Sequence, residues 1–445
     1  MSGRARDAVA LAPLILVAAV LCTRGLHDAT SYDEGVYLAS LDALRHGQHL
    51  GSDVFASQPP GFYVLLRVLG AVAGRSIEGI RIGMVVLALF GVGAAYFLGR
   101  RLAGIGGGAA AAAVVVAAPP YAAQAPRVAA DTPSIALALC ALVLAAYGFR
   151  RGGVALAAGA GAFAAAAVSV KLLALPVVVP LAVLAWHRRI GARTTAAFVG
   201  GAALVLVALV ALYAGVLGDL WRDAVGFHRE ARSVGIGESA GSRLLDYFSP
   251  RTPTTWVAAG GLVAAVAFRR HAALWAWVVA AAVFLLLQAP LLDHHFVLLA
   301  AALGSAAGAA LVSGRGRLAL AGLAVACVGA AAGWVQDYRQ IDRSKSPEPT
   351  EVRQAADAVR AFTRPGELVA SDLPIVPYLA DRRMPGDLVD TSFVRFASGS
   401  LTTQEVMRMA TRVFVAGREF SLHGLPRGNF RVARRFGSIR ILIRR

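Results

Sequence analysis

The sequence predicts a polytopic α-helical membrane protein that ends in a small extramembrane α/β domain, and three observations predict it. Hydrophobic residues form 57% and charged residues only 16% of the 445 positions, with a mean hydropathy of +0.63, too apolar for a soluble globule of this size. Apolar runs long enough to cross a bilayer recur through most of the chain, separated by short arginine clusters. After Gln336 the pattern changes to a charged, proline-containing stretch, Ser344 to Pro349, and then to mixed helix and strand periodicities.

Taken in order, spans of roughly 16 to 20 apolar residues centre near Leu16, Leu89, Val114, Leu139, Ala160, Val179, Val205, Leu262, Ala280, Leu303 and Val325. They amount to about eleven transmembrane helices. Between alternate pairs fall Arg100-Arg101, Arg150-Arg151, His187 to Arg193, Arg269-Arg270, and Arg315 with Arg317, on the same side as Arg4 and Arg6. By the positive-inside rule that side is cytoplasmic, so the N-terminus is inside and the C-terminal domain extracytoplasmic in a plasma (inner) membrane. The transmembrane module covers 1–335, with long outer loops at 24–80 and 218–253, and the α/β domain covers 336–445. In that domain Glu351 to Phe362 and Thr402 to Arg412 read as helices. Glu367 to Ser371, Val413 to Ala416, Phe430 to Arg434 and Ile439 to Ile443 read as strands.

Several function classes drop out. The formal charge of +18 is spread as helix-end clusters with no aromatic-interleaved basic stripe, so no nucleic acid is expected as a partner. Cys22, Cys140 and Cys327 lie inside apolar runs and read as small packing residues. The stretch Ala8 to Cys22 resembles a secretory signal, but Leu21-Cys22-Thr23-Arg24 lacks a small-x-small cleavage site, so it is read as a signal-anchor helix. The glycine run Gly104 to Gly108 is a cytoplasmic turn and packing element, since no strand or acidic partner supports a dinucleotide fold. Alanine-rich Ala155 to Val168 is expected inside the bundle, where small residues let backbones approach.

Chemistry is therefore sought in the outer loops. The first opens with Ser31-Tyr32-Asp33-Glu34-Gly35-Val36-Tyr37. Carboxylates near the membrane interface are functional candidates, although Asp33 and Glu34 also suit the positive end of a helix from Gly35 to Leu44. The same loop carries Asp53 and then Gln58-Pro59-Pro60-Gly61-Phe62-Tyr63, a double proline opening an amphipathic helix at the interface. His46 and His49 have helical spacing but no third ligand, and are read as solvent-facing. Other outer turns hold Arg127 to Pro133, Ser169-Val170-Lys171, Arg243 and Asp293-His294-His295-Phe296. Asp131 reads either as a sugar or acceptor contact or as a helix cap, Lys171 as a phosphate contact or a snorkelling helix-end lysine, and Arg243 as a phosphate clamp or a solvated charge. His294 and His295 form a weak metal signature, with a polar contact to donor or an interfacial structural role as the other readings. In the C-terminal domain the acidic turns at Asp372 and Asp390 read as caps or binding-site edges.

A first span, an Asp-Glu pair heading the first outer loop, and a Pro-Pro-x-x-Tyr helix start before the second span together resemble the GT-C glycosyltransferase superfamily. The likeness is to the protein O-mannosyltransferase and aminoarabinose transferase branch. The Arg127–Asp131 loop, the Lys171 turn and the His294-His295-Phe296 helix start extend it over roughly the first 310 residues, while the tail agrees only in arrangement. One departure stands out: many relatives have Lys-Pro-Pro where this chain has Gln58-Pro59-Pro60, so Lys171, Arg127 or Arg243 must supply the positive charge.

The resemblance implies an inverting glycosyltransferase, embedded in the lipid bilayer, moving a monosaccharide from a polyprenyl-phosphate-linked donor to a glycolipid, cell-wall glycan or protein acceptor at the outer membrane face. Asp33 is then the base. Glu34, Tyr37, Asp53, Gln58, Tyr63, Arg127, Asp131, Lys171, Arg243, His294 and His295 are the expected substrate-binding residues. No cofactor is required, and a divalent cation has no supporting ligand motif. The competing readings are a lipid or glycan flippase, which would show paired repeats and mid-membrane charges, and a non-enzymatic membrane assembly protein.

Overall fold

The computed structural model describes residues 3–149, 153–233, 239–249, 271–313, 347–409, 411–417 and 429–445, with scattered helical positions between 255 and 339. The spans expected around Leu262 and Val325 are described only at scattered positions, and Leu262, Cys327, Arg150-Arg151, Arg269-Arg270, Arg315 and Arg317 lie outside the described residues. The chain divides into two units, one of residues 1–26, 81–212 and 237–344, the other of 27–80, 213–236 and 345–445.

The first unit is a helical bundle. Its helices include α1 (Gly3–Thr23), most of α4 (Ile77–Val116), the short α5 (Pro119–Gln124), α6 (Asp131–Gly148), α7 (Val154–Val170), α8 (Val178–Arg188) and α9 (Ala192–Leu212). Helices Ala240–Tyr247, Ala272–Leu286 and Val297–Ser313 also belong to it. Among the described residues, Arg4–Thr23, Ile77–Val116, Asp131–Gly148 and Ala192–Leu212 are long and apolar enough to cross a membrane. Val154–Val170, Leu172–Arg188 and Ala272–Leu286 are shorter apolar helices.

The 40 residues of α4 are two spans joined at a break. Ala103 leaves helical geometry and Gly104 takes φ +76, a conformation open to glycine. The chain doubles back so tightly that a Cβ on Gly99 would stand 2.3 Å from the Gly107 carbonyl oxygen. The glycine run is thus a turn and packing element, as read from the sequence.

A second small-residue seam joins α7 to α9. A Cβ on Gly161 would lie 1.9 Å from the Phe198 carbonyl oxygen, and one on Gly201 1.9 Å from that of Ala158. Close backbone approach is what small residues contribute to helix packing where lipid replaces water and no hydrophobic drive operates between helices. α9 buries no side chain completely, so this seam is its main anchor.

The second unit is assembled from three chain segments. From the chain between α1 and α4 come α2 (Tyr32–Arg45) and α3 (Pro60–Ala73). From the second loop come Leu217–Trp221, a π-helical turn at Arg222–Gly226 and helix Phe227–Ser233. The C-terminal residues add helix Thr350–Phe362 and a four-stranded sheet in the order β1-β2-β4-β3. The strands are β1 (Val369–Ser371), β2 (Val413–Ala416), β3 (Phe430–Phe436) and β4 (Ile439–Arg444), with β1 and β2 parallel and the other pairs antiparallel.

One cluster of buried residues, Val54, Tyr63, Leu220, Met384 and Val389 among them, draws on all three segments. Contacts group these two loops with the tail, because each segment alone is too short to bury its apolar face. Arg395 reinforces the grouping. Its guanidinium lies 3.7 Å from the Phe55 ring centroid and donates to the Asp387 and Asp390 carbonyls at 2.6 and 2.8 Å.

Candidate active site

In the first unit Asp131 opens α6, but Ala130 is the N-cap residue and no side chain caps this helix. The capping role read for Asp131 is therefore corrected. Its carboxylate, 3% exposed, accepts instead from the Lys171 ammonium at 2.8 Å. Lys171 reaches it because the chain is extended there (φ −156, ψ 133), between the end of α7 and the 3₁₀ turn Leu172–Val177. A helix running through this point would aim the side chain elsewhere. The snorkelling alternative fails as well, since the lysine is buried.

His294 and His295 form the 3₁₀ turn Asp293–Phe296 that leads into helix Val297–Ser313. Ligand atoms of Asp131, His294 and His295 lie within 4.8 Å of one another, and the two imidazole centroids are 4.4 Å apart. His295 is buried, and its Nδ1 accepts from the Leu292 amide at 3.2 Å. A neutral imidazole accepting at Nδ1 carries its proton on Nε2, which makes that atom a donor to an anionic oxygen. The three residues could in principle hold a cation, but the Lys171 ammonium already contacts Asp131. A positive group inside the donor set suits an anion better than a metal.

Helix Ala240–Tyr247 packs on the same turn: the Tyr247 ring stacks on Phe296 at 4.4 Å with 1° between planes, and Arg243 donates to Asp293 at 2.5 Å. Asp293 is 88% exposed, so that pair is loosely held. Arg127 is half-buried in the segment between α5 and α6.

In the second unit Asp33 and Glu34 part company. Ser31 caps α2 by accepting from the Glu34 amide at 3.3 Å, and the Glu34 carboxylate accepts from the Ser31 amide at 3.0 Å, completing a capping box. Glu34 is fully buried while Asp33, one position earlier, is exposed on the first turn. The helix-start reading thus applies to Glu34, and Asp33 is the carboxylate presented at the surface of its unit.

The remaining predicted residues of this loop are mostly packed. Tyr37 meets Phe62 edge to face at 4.8 Å. Tyr63 is fully buried, which raises its hydroxyl well above the ordinary tyrosine range. Gln58 is buried at the entry to α3. The Asp53 carboxylate accepts from the His49 amide at 2.8 Å, a hydrogen bond that lowers its pKa, and the His49 ring stands 3.2 Å away. His46 and His49 are both substantially exposed.

The buried acids Asp42 and Asp223 escaped the sequence reading, while Asp390 lies in an acidic turn that it did single out. Asp42 in α2 pairs with Arg75, and burial raises its carboxyl against that favourable charge. Asp223 accepts from the Ala56 amide at 3.2 Å, and burial raises it too. Asp390 accepts from the Ser392 amide at 2.9 Å and from the Tyr32 hydroxyl at 3.3 Å. Asp372 accepts from the Gly417 amide at 2.5 Å, so both acidic turns of the tail serve as structural acceptors. Partners 33 and 167 residues away fix Asp42 and Asp223, and local sequence carries no signal for them.

Residues 57–213 match the family model for dolichyl-phosphate-mannose-protein mannosyltransferase. No curated protein sequence matches the chain. The fold is similar to ArnT from Cupriavidus metallidurans bound to undecaprenyl phosphate, with TM-score 0.72 and 15% identity, covering 99% of this chain and 98% of that one. It is also similar to the archaeal oligosaccharyltransferase AglB from Archaeoglobus fulgidus, in complex with an inhibitory peptide and a dolichol-phosphate. There the TM-score is 0.56 at 12% identity, over 96% of this chain and 74% of that one. The fold is thus the helical architecture shared with these solved structures, with helices long and apolar enough to cross a membrane. In sequence over 57–213, and in fold over nearly its whole length, the chain is similar to glycosyltransferases.

Proposed function

We propose that the protein is an inverting glycosyltransferase that takes a monosaccharide from a polyprenyl-phosphate-linked donor to a lipid, glycan or protein acceptor at the outer membrane face. The reading includes about eleven spans, a cytoplasmic N-terminus and an extracytoplasmic tail in the plasma membrane. The observation that carries it is the buried Lys171, turned onto Asp131 beside His294 and His295. Solved proteins of this fold bound to undecaprenyl phosphate and dolichol-phosphate support a phosphate-bearing lipid as the ligand.

The acceptor hydroxyl attacks the anomeric carbon and its proton passes to the Asp33 carboxylate. The bond from that carbon to the phosphate oxygen breaks, and the oxygen leaves with the electron pair as a polyprenyl phosphate monoester. Attack opposite the leaving group inverts the anomeric centre. Charge growing on the phosphate needs fixed cations and donors. Lys171 is the first of these: an ammonium has three N–H donors and Asp131 engages one. Arg127 and His295 Nε2 are next, with Arg243 at the rim. Glu34 holds the start of α2, which positions Asp33. Tyr37, Asp53, Gln58 and Tyr63 shape the loop behind it.

Purified protein incubated with labelled polyprenyl-phosphate sugars and membrane extract, with and without EDTA, tests the reading. Transfer of label from one such donor to a product, undiminished by EDTA, is the expected result. Failure with every lipid-linked donor would contradict the proposal, and abolition by EDTA would contradict its metal-free form.

A further inference from the structure

Around the middle of their lengths, helices α1, α4, α6 and α7 leave an apolar groove of about 560 Å³ that has no part in the proposed transfer. Its walls include Ile15, Phe90, Gly93, Phe97, Cys140 and Leu144. On α4 the series Phe90, Gly93, Phe97 steps by three and four residues, so it forms one stripe of the helix, and the next residue on that stripe is Arg101. On α6 the series Cys140, Leu144 continues in the same way to Tyr147. The two stripes end together, with the Arg101 guanidinium carbon 5.6 Å from the centroid of the Tyr147 ring. The α1 wall ends likewise in a polar residue, because Asp7 lies eight positions before Ile15 on the same stripe.

The charges at this mouth do not balance locally. Asp7 is taken by Arg100 and by the Tyr96 hydroxyl, the latter at 3.0 Å. Nε and Nη2 of Arg101 are buried and have no hydrogen-bond acceptor among the described residues. Buried guanidinium donors without acceptors are rare in folded proteins and mark either strain or a missing ligand. Any lipid tail can fill an apolar groove, and the cation at the mouth selects the head group.

From Phe90 to Arg101 the helix rises about 16 Å, close to half of the roughly 30 Å hydrocarbon core of a bilayer. One acyl chain of one leaflet fits that depth with its phosphate at the level of Arg101, whereas a long polyprenyl chain would extend far beyond it. We propose that this groove binds an anionic glycerophospholipid of the leaflet next to Arg101, with one acyl chain along Phe90, Gly93 and Phe97 and the phosphate on the Arg101 guanidinium. Basic positions between transmembrane helices recognise anionic head groups in this manner.

Native mass spectrometry of the full chain, released from nanodiscs of phosphatidylcholine doped with phosphatidylglycerol, tests the site. Phosphatidylglycerol should be retained over phosphatidylcholine by about fivefold, the effect of one basic residue at a lipid surface. Arg101→Gln should abolish the preference, and Arg101→Lys should keep part of it. Gly93→Phe is the second variant: a Cβ there meets open space, so the ring enters the groove without disturbing the bundle and should lower retention of both lipids. Equal retention of the two lipids by the wild type would overturn the proposal. So would an unchanged preference in Arg101→Gln, unchanged retention in Gly93→Phe, or a stronger preference for undecaprenyl phosphate doped into the same discs. Since none of these readouts is sugar transfer, the outcome is independent of the proposed activity.

Discussion

Lys171 donates to Asp131 at 2.8 Å across 40 residues of chain, with both side chains almost completely withdrawn from solvent. Removing one partner leaves the other charge buried without compensation. Lys171→Met should therefore cost about 3 to 5 kcal/mol of stability, read as a lower thermal midpoint in detergent. The double variant Asp131→Asn with Lys171→Met should regain most of that loss while remaining inactive. A single variant as stable as the wild type would show that the pair does not hold the α6–α7 region.

Glu34 completes the capping box of α2 from a fully buried position. Glu34→Ala should destabilise the protein by about 1 kcal/mol, and Ser31→Ala by a similar amount. The two losses should not add, because each substitution breaks the same reciprocal pair. Additive losses in a double-mutant cycle would count against the shared cap.

Gly200 and Gly201 are neighbours on α9 with opposite surroundings. A Cβ at 200 meets nothing, while one at 201 would collide with the Ala158 carbonyl on α7. Gly200→Ala should be neutral or stabilising by up to about 1 kcal/mol, and Gly201→Ala should destabilise by about 1 to 3 kcal/mol. Comparison of thermal midpoints of the two purified variants decides the point.

Glu367 accepts from Arg412 at 2.8 Å, and that bond lowers its carboxyl below the ordinary 4.5. A lowered carboxyl stabilises the fold fully above 4.5, and the contribution disappears as pH falls through the folded-state value. Glu367→Gln should thus lower the unfolding midpoint at neutral pH and match the wild type in acid. A gap that persists in acid would exclude the ion pair as its source.

What the sequence made legible depended on local pattern. The turn at Gly104, the lysine at the break after α7, the histidine turn ahead of Val297 and the strands of the tail all announce themselves within a few residues. Apolar period, glycine and polar helix ends are local signals. The pairing of Asp42 with Arg75, the acceptance of the Ala56 amide by Asp223 and the grouping of the outer loops with the tail depend on packing between distant segments. Asp131 illustrates the boundary: its place at a helix start was readable, but the identity of its partner was not, because that depends on the extended backbone at Lys171.

The central claim is that Asp33 removes the acceptor proton. Asp33→Asn keeps size and hydrogen-bonding shape at an exposed first-turn position but cannot act as a base. With donor lipid binding and thermal midpoint unchanged, the initial rate of sugar transfer should fall by about a hundred- to ten-thousand-fold. An Asp33→Asn protein that transfers sugar at the wild-type rate would contradict the account.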